Sequence, residues 1–205
     1  QEQEQLDTLK AWWKENGNRL LGVLLIAVVA MGGWRGWQYY QNKQSSEAAT
    51  LYAGFLQQLE SNNAKRVNDA AAAVMDKYAA SGYAPRAALL AAQVNEQGKE
   101  AARAKTQLQW VIDHAAEAGL KDAARLRLAA VLLDEKNYAD AMKLLEAKHP
   151  ASFDGMYADL RGDVLSAQGK KDEARKLLAE IYGWFTEGFD TKDLQEAKAL
   201  LDELS

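Results

Sequence analysis

The chain has 205 residues, of which 38 are alanine and two are proline. Alanine is the best helix former and proline the worst, so the composition disfavours a sheet protein and predicts an all-α fold. With no cysteine, two histidines and a net charge of −4, the chain has no disulfide framework, thiol nucleophile or thiolate metal site, and an acidic protein without a basic stripe is a poor nucleic-acid binder.

Residues 1–19 are a polar N-terminal segment with a net charge of −1. Leu6, Leu9 and Trp13 share one face of a short predicted helix, which lies along a membrane surface or against a partner. The polar sequence Asn16-Gly17-Asn18 is expected to end this helix.

Residues 20–40 are predicted to form a transmembrane helix, because they contain 15 consecutive uncharged residues and Arg35 as their sole charge. A helix of this length reaches about 31 Å, which matches a hydrocarbon core of about 30 Å. Trp34 and Trp37 form part of an aromatic belt in contact with membrane lipid, and Arg35 can extend to the headgroups. A buried core helix is one alternative. A cleaved signal peptide with Val28 and Ala30 at its cleavage site is the other.

Gly32 and Gly36 have the GxxxG spacing that lets a second membrane helix approach closely. Three basic residues precede the span and two follow it, namely Lys10, Lys14 and Arg19, then Arg35 and Lys43. This excess places the N-terminus in the cytoplasm and the acidic remainder outside it.

Residues 41–205 are predicted to form one domain of helical hairpins separated by short polar turns. The predicted helices are 44–60, 64–80, 84–97, 99–116, 121–135, 138–148, 153–168, 170–183 and 190–204. They pair as hairpins 44–80, 84–116, 121–148 and 153–183, with 190–204 as a terminal cap.

A degenerate repeat of 33 to 37 residues runs through this domain. Small residues at three equivalent positions are each followed after 12 residues by alanine and after 16 by leucine. These are Ala92, Ala104 and Leu108, then Ala129, Ala141 and Leu145, then Gly162, Ala174 and Leu178. Small residues let paired helices cross closely, so the pattern resembles the tetratricopeptide repeat and predicts an α-solenoid; an irregular helical array is the alternative. Leu132 and Leu165 strengthen the later units, whereas Asn95 interrupts the first.

Nothing in the sequence indicates an enzyme or a cofactor. His114 and His149 lie 35 residues apart near predicted helix C-termini, where an imidazole suits the helix dipole better than it suits catalysis. The GxSxG, P-loop, HExxH and GxGxxG patterns do not occur.

The candidate binding surface is the concave face lined by the first helix of each hairpin. The repeat register directs nine side chains toward it: Arg86, Leu89, Gln93, Glu96, Leu126, Asp134, Met156, Asp159 and Asp163. An apolar floor with acidic edges suits basic or amphipathic segments; the alternative is that these are ordinary solvated positions.

Several segments together resemble one bacterial family. In the anchor these are Trp12-Trp13, Glu15-Asn16-Gly17 and Gly33-Trp34-Arg35 with Trp37; in the repeats they are Thr106-Gln107-Leu108-Gln109, Leu126-Arg127-Leu128-Ala129 and Ala158-Asp159-Leu160-Arg161-Gly162-Asp163 with Gly169 and Ala174-Arg175. The chain is identified by them as similar to the YfgM family of Gram-negative bacteria. The final part, with Trp184 and Phe185, fits this resemblance least well.

The resemblance implies a single-pass protein of the bacterial inner membrane with a cytoplasmic N-terminus and a periplasmic repeat domain. It implies an ancillary subunit of the SecYEG translocon, associated with a PpiD-like periplasmic chaperone and helping to hand over secreted polypeptides. A membrane-anchored scaffold in envelope assembly, without chaperone activity, is the alternative function. A membrane-bound hydrolase or transferase is a third possibility, disfavoured by the missing histidine, cysteine and glycine motifs.

Overall fold

The computed structural model describes residues 2–61 and 63–183, together with Gln195, Lys198, Ala199 and Leu201. Within this part of the chain all regular elements are helical, as the composition predicts. The chain divides into two units, residues 1–47 and 48–205, and each is described by itself.

Helix α1 (Glu2–Leu59) supplies the first unit and runs through Asn16-Gly17-Asn18 without interruption. The expected helix end at these residues is therefore wrong. Each of them costs only about 0.5–1 kcal/mol in a helix, which a long helix tolerates. Local contacts also support the helix here. Asn16 Nδ2 donates to the Trp12 carbonyl at 3.2 Å, and the Trp13 ring covers Gly17.

Among the described residues, one stretch within Asn16–Leu59 is long and apolar enough to cross a membrane. Large apolar side chains on this helix are open to the surroundings; Ile26 is 70% exposed and Val29 is 66% exposed. Exposed apolar side chains in such a continuous run mark a surface that belongs in lipid or against a partner. A membrane-spanning helix in this part of α1 is therefore supported, and its bounds at 20–40 stay a prediction.

Up to residue 183, the described part of the second unit contains the end of α1 and seven further α-helices. They are α2 (Ala64–Lys77), α3 (Tyr83–Gln97), α4 (Ala101–His114), α5 (Ala118–Asp134), α6 (Tyr138–Leu145), α7 (Asp154–Ala167) and α8 (Lys171–Tyr182), with a 3₁₀ turn at Ala151–Phe153. Consecutive helices pack as hairpins, α3 with α4, α5 with α6 and α7 with α8. The helix predicted at 44–60 is the continuation of α1, and most of the predicted cap at 190–204 lies outside the described residues.

The burial of the repeat positions confirms the solenoid predicted from their spacing. The alanines of the second helices, Ala104, Ala141 and Ala174, are all buried, as are Ala92 and Ala129 on the first helices. Leu108 and Leu145 fill the space beside them and are at most 1% exposed. Small side chains let the helices of a hairpin approach closely, while the leucines supply the apolar area that stabilises the stack.

Each of the three hairpins turns through one residue in the left-handed backbone conformation. These residues are Lys99, Lys136 and Gly169, with φ of 60°, 61° and 76°. They recur with the 37- and 33-residue spacing of the repeat. In each turn the next residue donates its N–H to the carbonyl five residues earlier, as Asn137 does to Leu132 at 2.8 Å. This is the Schellman arrangement, in which glycine is the preferred left-handed residue because it has no Cβ.

We expect Lys136→Gly to stabilise the protein by about 1 kcal/mol, because it removes the Cβ strain of a left-handed lysine. The free energy of unfolding in urea measures the effect. Lys170→Gly is the matched control, since Lys170 has an ordinary φ of −85°. Glycine there adds chain entropy to the unfolded state and removes an exposed ion pair with Glu173, so it is expected to destabilise the protein slightly. A destabilised Lys136→Gly protein would contradict the assignment of strain to this turn.

Candidate functional site

A groove about 350 Å³ in volume lies on the first helices of the second unit, and we call it the first-helix groove. Side chains of α1, α3 and α5 line it: Tyr52, Arg86, Leu89, Leu90, Gln93, Ala123 and Arg127. The repeat register places these helices side by side, so the groove is open along one face of the solenoid. Its volume is in the range of sites that bind small molecules or short peptide segments.

The groove carries two guanidinium groups, and both already have partners inside the domain. Arg86 Nη2 lies 2.9 Å from both carboxylate oxygens of Glu117, so this pair is bidentate and holds the start of α5 against α3. Arg127 donates from Nη1 to the Leu89 carbonyl at 3.2 Å and from Nη2 to Gln93 Oε1 at 3.4 Å. The lining of this groove contains two arginines and no acidic side chain, in contrast to the acidic edges expected from the sequence.

Glu96 continues the same face of α3 one turn beyond Gln93. Its Oε1 is buried and has no hydrogen-bond partner among the described residues. Burial raises the pKa of the Glu96 carboxyl above its ordinary range, and the charge of Arg127 opposes this shift. A carboxylate held in this way costs stability, so its presence needs a reason other than folding.

We expect Glu96→Gln to stabilise the protein at pH 7 by up to about 1 kcal/mol, because a neutral amide is cheaper to bury than a carboxylate. A raised pKa means that the folded state binds the proton more tightly. The wild-type deficit is therefore present above the pKa of the folded carboxyl and disappears as the pH falls below the ordinary carboxyl pKa. Urea unfolding of both proteins between pH 4 and pH 7, a window spanning about three pH units around that titration, measures this difference. A difference that does not change with pH would contradict the assignment.

The structure brings Arg86, Leu89 and Gln93 together in the first-helix groove and distributes the other predicted residues along the solenoid. Leu126 is half-buried and packs on the core, Asp134 is exposed at the end of α5, and Met156 is 51% exposed on α7. Asp159 and Asp163 line a separate small groove between α7 and α8.

Within that small groove, the pKa of the Asp163 carboxyl is raised, as is that of Glu96 on α3. Burial raises its pKa, and the neighbouring charge of Asp159 raises it further. Two of the four acidic side chains predicted for the concave face thus lie on α7, whereas Glu96 lies on α3 and Asp134 ends α5.

Sequence reasoning missed Tyr52 and Arg127 as groove residues. The signal for Arg127 was a charged residue next to the buried repeat positions Leu128 and Ala129, where an arginine must extend along the surface to reach solvent. Tyr52 belongs to the first, atypical hairpin, whose sequence does not follow the repeat pattern. Its ring packs on Tyr83 with centroids 5.3 Å apart.

A larger groove of about 810 Å³ lies on the second helices and was not predicted. We call it the second-helix groove. Leu128 and Leu132 of α5 form its floor, and α4 and α6 form its walls.

Both histidines make stacking and polar contacts within the repeat domain. His114 ends α4, where its Nδ1 lies 2.9 Å from the Trp110 carbonyl and its ring stacks on that indole. The His149 ring stacks on Tyr157 with centroids 3.8 Å apart, and its Nε2 lies 3.2 Å from Asp154 Oδ1. In the described part of the chain, no group of three or more histidine and acidic side chains is arranged to hold a metal ion.

The anchor residues lie on the open surface of α1. A Cβ added to Gly32 or Gly36 meets no other atom within 4 Å. Trp34 and Trp37, one turn apart, pack with ring centroids at 5.5 Å. Both glycines therefore leave a shallow depression among the exposed apolar side chains of α1.

Comparison with protein families places residues 10–182 in the tetratricopeptide repeat-like domain. This match covers α1 from the polar segment onward and all seven helices of the second unit that follow it. No solved structure matches the chain.

Three curated bacterial proteins resemble the chain over most of its length, and each is named as an ancillary SecYEG translocon subunit. The protein from Neisseria gonorrhoeae is 30% identical over 86% of this chain and 85% of its own length. The Haemophilus influenzae protein is 27% identical over 85% of both chains. The Escherichia coli protein is 29% identical over 85% of this chain and 84% of its own length.

Proposed function

The chain belongs to the tetratricopeptide repeat-like YfgM family, and from this membership we propose that it is an ancillary subunit of a bacterial SecYEG translocon. Its relatives are translocon subunits by name, and its own α1 contains a stretch long and apolar enough to cross the inner membrane. The protein is accordingly a single-pass, membrane-anchored Sec-associated factor that works by binding other proteins.

We further propose that the repeat domain is periplasmic and that the N-terminus is cytoplasmic. The support is the excess of basic residues before the span, with Lys10, Lys14 and Arg19 against Arg35 and Lys43. Alkaline phosphatase, which is active only in the periplasm, tests this when fused after Ser205. An active fusion is expected, and an inactive fusion of normal abundance would overturn the orientation.

In this proposal the first-helix groove binds emerging secreted chains or a PpiD-like chaperone and assists the hand-over between them. Leu89 and Leu90 give the groove an apolar floor, while the Arg86 charge is neutralised by Glu117. The Arg127 guanidinium donates to the neutral Leu89 carbonyl and Gln93 side chain, so the groove keeps a positive charge beside its apolar floor. Such a groove suits unfolded segments of varied sequence, which a client-binding protein must accept.

Substitution of Gln93 by tryptophan tests the groove, because the larger side chain fills it. We expect a photoreactive secretory chain arrested in a reconstituted translocon to crosslink to the wild-type protein and to lose most of that crosslink in Gln93→Trp. Gln97→Trp is the matched control, since Gln97 is an exposed residue at the end of the same helix. Equal crosslinking of all three proteins would show that clients do not use this groove.

An aggregation assay separates this function from a scaffold without chaperone activity. The full chain in lipid nanodiscs is expected to slow aggregation of an unfolded secretory protein, and Gln93→Trp is expected to slow it less. A scaffold that binds only a folded partner would leave the aggregation rate unchanged.

We propose that Gly32 and Gly36, flanked by Trp34, Arg35 and Trp37, contact a membrane helix of the translocon. The free space beside both glycines supports this role. Gly32→Leu combined with Gly36→Leu is expected to lower co-purification with the translocon several-fold in mild detergent. Ala30→Leu, which faces the other side of α1, is the control and is expected to have no effect. Equal recovery of all proteins would remove the glycines from the interface.

A further inference from the structure

The second-helix groove is an apolar channel between α4 and α6, independent of the first-helix groove. Leu128 and Leu132 form its floor, with Trp110 on one wall and Leu144 on the other. It follows α4 from Lys105 to His114, which corresponds to about 15 Å of helix.

The repeat register explains why this groove is open. Ala147 stands 37 residues after Trp110, the same interval that separates Ala104 from Ala141 and Leu108 from Leu145. The bulky side chain of one repeat is thus replaced by a methyl group in the next. Helix α6 also has only 8 residues, whereas α4 has 14. Together these differences leave about 810 Å³ unfilled over α5.

The rim of the groove bears three charges that the described part of the chain does not neutralise, on Lys143, Asp113 and Asp140. Lys105 is paired with Glu135, whose Oε2 lies 2.6 Å from Nζ. By contrast, Lys143 on the α6 wall has no hydrogen-bond or ion-pair partner among the described residues. Asp113 on the α4 wall accepts only a neutral hydrogen bond, from Gln109 Nε2 at 3.0 Å. Asp140 on the α6 wall, one turn before Lys143, likewise accepts only a neutral one, from Asn137 Nδ2 at 2.7 Å.

Of these charges, the Lys143 cation and the Asp113 anion lie on opposite walls and at different heights. In the repeat register Lys143 corresponds to Thr106, and Asp113 lies seven residues further along α4, or about 10 Å. An apolar channel about three turns long, with a cation on one rim and an anion two turns away on the other, is complementary to an amphipathic helix. The flanks of such a helix carry an acidic and a basic side chain in the same diagonal order.

We propose that the second-helix groove binds an amphipathic helix of a partner protein. The apolar face of that helix enters between α4 and α6, an acidic side chain pairs with Lys143, and a basic side chain pairs with Asp113. The protein then has two binding surfaces, and a partner helix docked on the second helices leaves the first-helix groove free.

A synthetic helical peptide tests this with the full chain in lipid nanodiscs. The probe is a fluorescein-labelled peptide of about 15 residues with leucines along one face, glutamate on one flank and lysine two turns later on the other. Fluorescence anisotropy is expected to show saturable binding. A peptide of the same composition in scrambled order is expected to bind at least tenfold more weakly. Equal binding of both peptides, or no binding of the amphipathic one, would overturn the proposal.

Two substitutions locate the binding. Ala147→Trp fills the groove with the side chain that the preceding repeat carries and is expected to weaken binding at least tenfold. Lys143→Glu alters an exposed side chain without a partner among the described residues and is expected to weaken binding about two- to fivefold, within the usual range of an exposed ion pair. A peptide with lysine in place of its glutamate is expected to recover that loss.

Matched controls distinguish this groove from other causes of binding. Lys176→Glu makes the same change of charge on an exposed residue of α8 and is expected to leave the affinity unchanged. Gln93→Trp, which fills the first-helix groove, is expected to leave it unchanged as well, so this test is separate from that of the proposed function. An equal loss in Lys143→Glu and Lys176→Glu, or wild-type affinity in Ala147→Trp, would refute the assignment to this groove.

Discussion

Replacement of Asp122 by alanine is expected to lower the free energy of unfolding by about 3 kcal/mol. Asp122 is 1% exposed, and its Oδ1 accepts hydrogen bonds from Arg125 Nη1 at 2.7 Å and from the Tyr157 hydroxyl at 2.9 Å. The substitution leaves a buried hydroxyl without an acceptor and a partly buried guanidinium without a counter-charge. Urea unfolding followed by circular dichroism measures the loss.

A double-mutant cycle with Tyr157→Phe shows whether the hydroxyl accounts for part of this cost. Once the hydroxyl is absent, Asp122→Ala is expected to cost about 1 kcal/mol less than in the wild-type background. Additive effects of the two substitutions would show that the 2.9 Å bond contributes nothing to stability.

The same bond makes stability depend on alkaline pH. Burial, followed by the hydrogen bond to Asp122, raises the pKa of Tyr157 to about 12. Because the folded state binds this proton more tightly, its contribution is complete below the ordinary tyrosine pKa of about 10 and is lost as the pH rises toward 12. Tyr157→Phe is expected to remove this part of the decline. An unchanged alkaline decline would show that other groups are responsible.

The second large effect is expected at Asn95, where Asn95→Leu should destabilise the protein by about 2 kcal/mol. The equivalent positions of the later repeats are Leu132 and Leu165, so the substitution brings the sequence closer to the repeat pattern. Asn95 is nevertheless completely buried and exchanges hydrogen bonds with Asn68 at 2.8 and 2.9 Å, while donating to Gln107 Oε1 at 2.7 Å. Leucine leaves Asn68 Nδ2 without its acceptor and Gln107 Oε1 without its donor, while Gln107 Nε2 still donates to Asn68 Oδ1 at 2.9 Å.

The cost is expected to disappear when the whole amide network is replaced. Asn68→Ala and Gln107→Leu, added to Asn95→Leu, remove every polar group that the single substitution leaves unpaired, and we expect stability within about 1 kcal/mol of the wild type. The triple variant is compared with the single one by urea unfolding. A triple variant less stable than the single one would mean that packing, and not hydrogen bonding, determines the choice of asparagine.

The sequence allowed prediction of the solenoid because its small residues recur at regular intervals. The burial of Ala104, Ala141 and Ala174 follows directly from that register. The register also identified Asn95 as an exception, although it did not indicate that Asn68 and Gln107, 27 residues before and 12 residues after it, would surround it. Contacts between such distant side chains depend on the angle between helices, which a repeat pattern does not specify.

The candidate site was predicted less completely. The register directed Arg86, Leu89 and Gln93 to one groove, but the partners that neutralise its charges come from other repeats, such as Glu117. The second-helix groove depends on the early end of α6 at Leu145 and on the contrast between Trp110 and Ala147. The periodicity predicted a helix at 138–148, three residues longer than α6. A helix of that length would cover the groove, so the groove could not be predicted.

Each junction between successive hairpins contains at least one directional polar contact. Asn68 and Asn95 join α2 to α3, Arg127 and the Leu89 carbonyl join α5 to α3, and Tyr157 with Asp122 joins α7 to α5. Alanine faces alone slide over one another at little cost, whereas a hydrogen bond weakens steeply when its angle changes. These bonds therefore set the superhelical curvature of the solenoid before any ligand arrives. A groove with its curvature already fixed loses less conformational entropy on binding, so modest contact areas are sufficient for useful affinity.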